Sequence, residues 1–200
     1  MKINRFYEHE ELQDLGFKSI GHHVRIAKTV TIDDPSTITI GHHTLINDYC
    51  TLTGTINIGS FTHIAHYVHL SGTYDIDIGN FVGIGSRSIL YTSNDSYKGD
   101  ALWTPTHDEF RKPEDGPIVI KDQVLTGVYC LILPNVYISS GAVFEARCTL
   151  VGRYFGDARW GPRVNPRNEK IETKFIVELK DYEMKFKKIR ERLLKVEFSI

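Results

Sequence analysis

Isoleucine or leucine recurs at intervals of six residues over most of this 200-residue chain. A period of six matches neither the 3.6-residue repeat of an α-helix nor the two-residue alternation of an ordinary strand. It is typical of a solenoid in which three short strands, each ending at a corner, form one triangular coil, and in which a core forms only where coils stack. The residues of this series, called anchors below, are Ile20, Ile26, Ile32, Ile40, Ile46, Leu52, Ile58, Ile64, Leu70, Ile78, Ile84, Leu90, Ile120, Thr126, Ile132, Ile138, Phe144 and Leu150.

A second repeating position lies four residues after most anchors and carries a small or β-branched residue, such as Val24 or Thr44. Cys50, Cys130 and Cys148 all occupy this position. Their wide spacing matches neither a zinc site nor a disulfide framework. We therefore expect three small, buried, hydrophobic side chains.

Glycine directly follows six anchors, where a corner favours a residue that adopts unusual φ angles. These glycines are Gly21, Gly41, Gly59, Gly79, Gly85 and Gly127. Residues 33–39 and 71–77 each contain two residues more than the repeat allows, and we interpret them as small bulges at a corner. The eighteen anchors predict about six coils.

The repeat stops after Leu90 and resumes at Ile120. Residues 92–117 therefore form a protruding loop, which is polar at its start and aromatic in its middle. A solenoid face is too flat to enclose a small molecule, so a pocket requires such a loop or a neighbouring subunit. Long loops in compact domains are usually functional or disordered, and the aromatic residues favour function.

The sequence pattern predicts a helix near each end of the chain. Residues 8–15 predict a short helix that ends at Gly16 and covers the open first coil. Apolar residues from Phe175 to Val196 alternate in steps of four and three, which predicts a C-terminal α-helix with a heptad seam. This helix either packs on its own solenoid or reinforces a trimer. The predicted division is an N-terminal cap (1–16), a β-helix (17–155) and a C-terminal connector with the helix (156–200).

Composition excludes several functional classes. The formal net charge is −1, so no basic field indicates nucleic-acid binding. The N-terminus does not resemble a signal peptide, and no apolar run is long enough to span a membrane. We expect a cytoplasmic protein that does not bind membranes.

The segment from Pro117 to Val151 resembles the closing coils of the hexapeptide-repeat acyltransferases, although Lys121, Ser139 and Glu145 stand where glycine is usual. The stretch SNDSYKGD, from Ser93 to Asp100, is similar to the loop of the branch that N-acylates nucleotide-linked amino sugars. The resemblance implies an all-β, left-handed parallel β-helix and a homotrimer. It also implies an acyl-CoA-dependent N-acyltransferase, with acetyl-CoA or another acyl-CoA as co-substrate and no metal, in surface-polysaccharide synthesis (O-antigen or S-layer glycan).

Galactoside acetyltransferase-like members of the family place a catalytic histidine five residues after the anchor that precedes the loop. In this chain that position, counted from Leu90, is Asp95. A hydroxyl acceptor must lose a high-pKa proton and benefits from a positioned histidine, whereas an unprotonated amine is already nucleophilic, so a carboxylate that orients it can suffice. Asp95 is therefore the first candidate for the catalytic residue, and capping of a turn is its structural alternative. Asp75, five residues after Leu70, would stack below it if the bulge does not displace it.

The remaining candidates for the acceptor site lie in the loop or on a neighbouring coil. His66 is the second candidate for a base, and His107 is the third. The residues expected to bind the acceptor are Asn94, Tyr97, Asp100 and Trp103, two of which offer aromatic faces for stacking.

Coenzyme A is expected along the later coils, in a groove shared with a neighbouring subunit. Leu125 takes a position where the family often has tryptophan, and Gly127 and Ala146 are small enough for a close approach of the pantetheine arm. Arg153 and Arg163 follow the last coil, where basic residues of the resembling enzymes reach the phosphates.

Other readings remain open. The chain could be a sugar O-acetyltransferase of the galactoside acetyltransferase type, or a γ-class carbonic anhydrase-like zinc enzyme, or a solenoid without catalytic activity. The spacing of His63, His66 and His69 does not match the H-x4-H ligand pair of the zinc enzymes. The adjacent histidines at 22–23 and 42–43 are expected to stack on the surface.

Overall fold

The structure is a computed structural model that describes residues 4–96 and 111–155, together with the backbone of 159–160. Nearly all of the regular structure is parallel β-sheet, arranged as three faces of a solenoid. The first face contains β1 (Ser19–Ile20), β4 (Ile38–Ile40), β7 (Ile56–Ile58), β10 (Ile76–Ile78), β15 (Ile118–Ile120), β18 (Tyr137–Ile138) and β21 (Arg153–Tyr154). The second contains β2 (Arg25–Ile26), β5 (Leu45–Ile46), β8 (His63–Ile64), β11 (Gly83–Ile84), β16 (Leu125–Thr126), β19 (Val143–Phe144) and β22 (Arg159–Trp160). The third contains β3 (Thr31–Ile32), β6 (Thr51–Thr53), β9 (His69–Ser71), β12 (Ile89–Tyr91), β17 (Leu131–Ile132) and β20 (Thr149–Leu150).

Each strand pairs in parallel with the equivalent strand of the next coil, so the anchors lie in columns. On the first face, for example, Ile40 pairs with Ile58, which pairs with Ile78, which in turn pairs with Ile120 across the long interruption. This register confirms the predicted solenoid of about six coils. The all-β fold class is confirmed as well.

The anchors form the core. Most are fully buried, and Ile20 and Ile32 in the first coil are partly buried. Thr126, which breaks the Ile/Leu rule, has a structural role because its hydroxyl accepts a hydrogen bond from the amide of Gly85 at 3.2 Å. The other exception, Phe144, is buried and packs edge-on against Tyr154.

The three cysteines are buried free thiols, as predicted. The thiol of Cys50 donates a hydrogen bond to the carbonyl of Ala65 at 2.9 Å. Burial raises the pKa of Cys50 and of Cys148 to about 11. These thiols are therefore protonated at neutral pH and serve as small core residues.

The prediction that the glycines after the anchors adopt unusual φ angles is wrong. None of the six has a positive φ. They are glycines because the coils approach closely there, and an added Cβ would lie between 2.3 and 2.6 Å from an atom of the next coil. The left-handed backbone conformation is instead adopted mainly by non-glycine residues three positions after an anchor, with φ between 55° and 64°. These residues are His23, His43, Tyr49, Phe61, Tyr67, Phe81, Arg87, Gln123, Tyr129, Asn135 and Arg147.

The left-handed residues form ladders along two corners of the solenoid. At the corner between the first and second faces, the rings of His23, His43, Phe61 and Phe81 stack at 4.7–5.0 Å. His22 and His42 stack beside them at 5.2 Å, so the predicted histidine stack is confirmed.

The first coil is closed by the N-terminal segment. Helix α1 (His9–Asp14) begins with a capping box formed by Glu8 and Glu11, and the left-handed Gly16 follows its end. Leu12 is 1% exposed and belongs to the core. The helix therefore covers the open end of the solenoid, as the sequence indicated.

At the other end, β22 pairs with β19, so the second face continues past residue 155, where we had expected a connector to begin. The predicted C-terminal helix lies outside the described residues. In the part of the chain that the structure describes, no helix has the length and hydrophobicity needed to cross a lipid bilayer.

Candidate active site

Every departure from the six-residue count occurs at one corner, between the third and first faces, which we call the loop corner. The extra residues of the first coil form a 3-10 turn (Pro35–Thr37), and those of the third coil form the bends before β10. The long loop leaves the same corner after β12 and returns at β15. The loop corner therefore carries the structure that a flat solenoid face lacks.

The base of the loop is held from the coil below through Thr92. This residue is fully buried, and its hydroxyl accepts a hydrogen bond from the amide of Tyr74 at 3.1 Å. Its own amide donates to the carbonyl of Ser71, and its carbonyl accepts from the amide of Gly116. Gly72 lies directly beneath, where a Cβ would be 1.5 Å from the Thr92 hydroxyl oxygen. Glycine at position 72 thus makes room for the residue that anchors the loop.

The coil above holds the returning strand of the loop. Asn135 adopts a left-handed φ of 63° and donates a hydrogen bond from Nδ2 to the carbonyl of Asp115 at 2.6 Å. A Cβ at Gly116 would lie 1.8 Å from Asn135 Oδ1, so only glycine fits there. The loop base is fixed on both sides.

Between these supports, β13 (Ser93–Asn94) and β14 (Glu114–Asp115) form an antiparallel ribbon. Ser93 pairs with Asp115, and Asn94 pairs with Glu114. The sequence predicted a loop over 92–117 and did not indicate this ribbon. The ribbon means that its first residues point in defined directions, because side chains alternate between the two faces of a strand.

Asp95 directly follows β13 and is partly exposed, with 35% of its side chain accessible. The guanidinium of Arg111 lies 3.6 Å from Asp95 Oδ1, and the Arg111 side chain is 28% exposed. Within the described residues the Asp95 carboxylate accepts no hydrogen bond from a backbone amide. Asp34 shows what a capping aspartate looks like in this protein, since its Oδ1 accepts from both the amide and the hydroxyl of Ser36. The donor of an equivalent cap at Asp95 would be the amide of Tyr97, which lies outside the described residues.

Asp75 does not lie below Asp95 in the way the sequence suggested. Ile76 pairs with Ile118, and the backbone carbonyl of Asp75 accepts a hydrogen bond from the amide of Ile118. The residue equivalent to Asp75 in the next coil is therefore Pro117. The long loop carries Asp95 out of that column. The stacked carboxylate pair is therefore corrected to a single carboxylate beside an arginine.

Asn94 is at the ribbon base, paired with Glu114, and directly precedes Asp95. The other loop candidates, namely Tyr97, Asp100, Trp103 and His107, lie outside the described residues.

His66 lies at the corner between the second and third faces and contacts the N-terminal segment. Its Nε2 is 3.0 Å from a guanidinium nitrogen of Arg5 and 3.7 Å from Asp48 Oδ2. Since a guanidinium can only donate, Nε2 is the acceptor in its contact with Arg5. The nitrogen that a base would use is thus already engaged by Arg5.

Arg5 also contacts Asp48 and Asn47. Its Nε donates to Asp48 at 2.5 Å, and this hydrogen bond holds the pKa of Asp48 below its usual value. Asn47 is 6% exposed, and its Oδ1 accepts a hydrogen bond from the guanidinium of Arg5 at 3.0 Å. Its Nδ2 lies 2.7 Å from His63 Nε2. Burial lowers the pKa of His63, and the nearby His66 lowers it further.

The coenzyme A candidates fall into two places. Leu125, on the outer side of the second face, is 48% exposed, and Gly127 and the exposed Ala146 adjoin at the next corner. Arg153 lies on the first face, where its guanidinium is 5.0 Å from the ring centre of Tyr137. Within one chain Arg153 therefore does not share a face with Leu125. Arg163 lies outside the described residues.

Gly127 also has a structural reason to be glycine, since a Cβ would lie 2.5 Å from the amide nitrogen of Ala146. Among the described residues, no three histidine, cysteine, aspartate or glutamate side chains converge in a metal-binding group.

Sequence reasoning missed Arg111 and the Arg5 network. Arg111 had no signal in the sequence, because its contact with Asp95 depends on how the two segments of the loop base pair. Arg5 had no local signal, because it meets Asn47, Asp48 and His66 only through the stacking of coils.

No protein-family model matches the chain. The chain is similar to the dTDP-4-amino-4,6-dideoxy-D-glucose acyltransferase of Escherichia coli, with 30% identity over 140 residues that cover 68% of this chain and 73% of the relative.

Solved structures of AntD, an N-acyltransferase from Bacillus cereus, are similar over nearly the whole chain. The complex with dTDP and 3-hydroxybutyryl-CoA has a TM-score of 0.81 and 30% identity, covering 95% of this chain and 99% of AntD. A serine-to-cysteine variant bound to dTDP-4-amino-4,6-dideoxyglucose and coenzyme A has a TM-score of 0.78 and 34% identity, covering 92% and 99%. An aspartate-to-asparagine variant bound to dTDP and coenzyme A has a TM-score of 0.81 and 30% identity, covering 94% and 100%. With this agreement in sequence and fold, the chain belongs to the family of hexapeptide-repeat acyltransferases that act on nucleotide-linked amino sugars.

Proposed function

We propose that this protein transfers an acyl group from an acyl-CoA to the amino group of a nucleotide-linked amino sugar. The observation that carries the proposal is the similarity over nearly the full chain to an N-acyltransferase bound to dTDP and an acyl-CoA. A dTDP-linked 4-amino-4,6-dideoxy sugar is the first acceptor to test, because the Escherichia coli relative is named for it.

In the proposed reaction the amine nitrogen attacks the thioester carbonyl, so that a C–N bond forms and the C–S bond breaks. The amine loses one proton, and the coenzyme A sulfur gains one. Asp95 is proposed to orient the amine and accept its proton, because its carboxylate is partly exposed at the loop base, beside the guanidinium of Arg111. His66 is the second candidate, although Arg5 already engages its Nε2. Asn94, Tyr97, Asp100 and Trp103 are proposed to contact the acceptor.

Coenzyme A is proposed to lie against Leu125, Gly127 and Ala146, with its phosphates near Arg153 and Arg163. Because Arg153 and Leu125 occupy different faces, this arrangement requires a second subunit. Apolar surface around the groove supports such an interface, since Leu125, Val128 and Tyr129 are 48%, 44% and 53% exposed. We therefore propose a homotrimer, which would have three times the 22.9 kDa mass of the chain in solution.

The proposed setting is surface-polysaccharide synthesis in the cytoplasm. The three unpaired cysteines suit a reducing compartment, and nucleotide-linked sugars and acyl-CoA are charged co-substrates that do not cross membranes unaided. Neither nucleic acid nor a membrane is a proposed partner.

The proposal is tested with a panel of nucleotide-linked amino sugars and matched hydroxyl sugars, using acetyl-CoA and 3-hydroxybutyryl-CoA as donors and free-thiol release as the readout. Turnover of amino acceptors is expected, with activity rising towards neutral pH as the amine loses its proton. Turnover of hydroxyl acceptors alone would replace the proposal with sugar O-acetylation.

The role of Asp95 is tested with Asp95→Asn, which keeps the shape but removes the charge. We expect kcat/KM to fall by about 10²–10⁴-fold, with coenzyme A binding retained. Asp34→Asn is the matched control, since Asp34 does cap a turn and lies away from the loop. Near-normal turnover of Asp95→Asn would remove Asp95 from the mechanism, and His66→Ala would then be the decisive variant.

A further inference from the structure

The side chains of Arg111 and Asp95 meet just beyond the paired residues of the loop-base ribbon. Continuing the register from Asn94 and Glu114 places Asp95 opposite Pro113, with Arg111 two residues further along. Residues two apart share a face, and diagonal neighbours in a ribbon are within reach of long side chains. The contact of 3.6 Å between the guanidinium and Asp95 Oδ1 agrees with this geometry.

The separation of 3.6 Å is longer than a hydrogen bond, so the contact is mainly electrostatic. The guanidinium can therefore orient the carboxylate while leaving its oxygens able to accept hydrogen bonds from a ligand. Both side chains are less than two-fifths exposed, at 28% and 35%, so water screens the pair less than it would at an open surface.

We propose that Arg111 is a positioning residue that acts through Asp95, holding its carboxylate in the orientation that receives the acceptor amine. This inference rests on the proposed function. A fixed positive charge beside Asp95 also disfavours a second positive charge at the same place, so it favours the unprotonated, nucleophilic form of the amine over the ammonium.

The test is a double-mutant cycle measured as kcat/KM for the amino-sugar acceptor. Arg111→Gln is expected to lower this value by about 10–100-fold, because misplacement of a reacting group costs this much. The KM for the acyl-CoA is expected to stay unchanged, and Arg111→Lys is expected to restore part of the loss because it keeps the charge. In an Asp95→Asn background, Arg111→Gln is expected to cost less than about twofold, since its effect runs through the carboxylate.

Lys112→Gln is the matched control. It removes the same charge from the neighbouring exposed residue, which alternation places on the opposite face of the ribbon. Thermal unfolding followed by circular dichroism checks that each variant is folded. If Arg111→Gln does not fold, the cycle is measured with Arg111→Lys instead.

Three outcomes would overturn the inference. Equal losses in the wild-type and Asp95→Asn backgrounds would mean that Arg111 contacts the substrate directly, for example at a phosphate. An unchanged kcat/KM in Arg111→Gln, or a loss that Lys112→Gln reproduces, would mean that it has no specific role. In each case the enzyme would still acylate amino sugars, whereas absence of turnover in the wild-type protein would overturn the proposed function together with this inference.

Discussion

Replacing Arg5 with alanine should loosen the N-terminal segment from the solenoid. Arg5 is the polar link between that segment and the second and third coils, through Asn47, Asp48 and His66. Its backbone carbonyl also accepts the amide of Lys28, and the next residue, Phe6, pairs with Ala27. The truncation leaves these backbone contacts in place and removes only the side-chain interactions.

The expected cost follows from the burial of each partner. Asn47 is 6% exposed, and its Oδ1 would lose the donor from Arg5. An unsatisfied buried acceptor costs about 1–3 kcal/mol. The side chains of Asp48 and Arg5 are 14% and 46% exposed. Because the arginine is exposed to water, loss of this ion pair adds less than about 1 kcal/mol. A total of about 1–4 kcal/mol corresponds to a fall in Tm of roughly 2–16 °C for a chain of this length.

Thermal unfolding by circular dichroism at pH 7 measures this change. Arg5→Lys is the matched variant and should lose less, because it keeps the charge beside Asp48 but not the planar fork that also reaches Asn47. If the reasoning holds, Arg5→Ala should cost much less in an Asn47→Ala background, where no amide oxygen is left unsatisfied. A Tm within about 1 °C of the wild type, or the same loss in both backgrounds, would refute it.

Two further predictions concern pH and coil packing. The pKa of His63 is lowered in the folded protein, so below about pH 6.5 the unfolded chain binds the proton more readily than the folded chain, and stability should fall as the pH drops from 7 to 5. His63→Gln should flatten this dependence of Tm on pH. The pKa of His69 is lowered as well and should account for the remaining slope. Gly85→Ala would place a Cβ 2.3 Å from the carbonyl oxygen of Gly127 and should destabilise the protein by about 1–3 kcal/mol in urea denaturation. Gly83→Ala, whose Cβ would meet only the flexible tip of Leu125, is the control and should cost clearly less.

Much of the fold could be predicted from the sequence because the solenoid repeats one local rule. Each anchor occupies the same environment in every coil, so a simple count of six identifies the strands, the coils and the core positions. Cys50, Cys130 and Cys148 were correctly interpreted as core residues by the same count. The N-terminal helix was also predictable, because its apolar residues and Gly16 are local signals.

The roles of the glycines were not predictable from the count alone. Both the position after an anchor and the position three residues after it lie at a corner, and sequence does not tell which one takes the positive φ. The structure shows that close packing between coils selects glycine at the first position. Tyr67, Arg87 and Tyr129 tolerate the left-handed backbone at the second position, where their side chains stack on those of adjacent coils.

The site was partly predictable for a similar reason. Asp95 could be proposed as a candidate because its distance from Leu90 is counted along one chain segment. Its neighbour Arg111 could not, since sixteen positions separate them and their contact depends on the register of the ribbon. The pairing of Asp75 with Asp95 failed for the same reason, because the loop moves Asp95 out of the column that contains Asp75 and Pro117.

The position of the interruption explains how a repeating fold can carry a specific site. Strands on both sides of the long loop stay in register, as Ile78 pairs with Ile120, so the extra residues leave the stacking of coils intact. The coil below supports the loop base where the amide of Tyr74 donates to the hydroxyl of Thr92, and the coil above supports it where Asn135 donates to the carbonyl of Asp115. A rigid support of this kind holds a short ribbon in place, and the ribbon sets the direction of Asp95. The inserted segment thus carries Asp95 out of the repeating columns while the core beneath it remains unbroken.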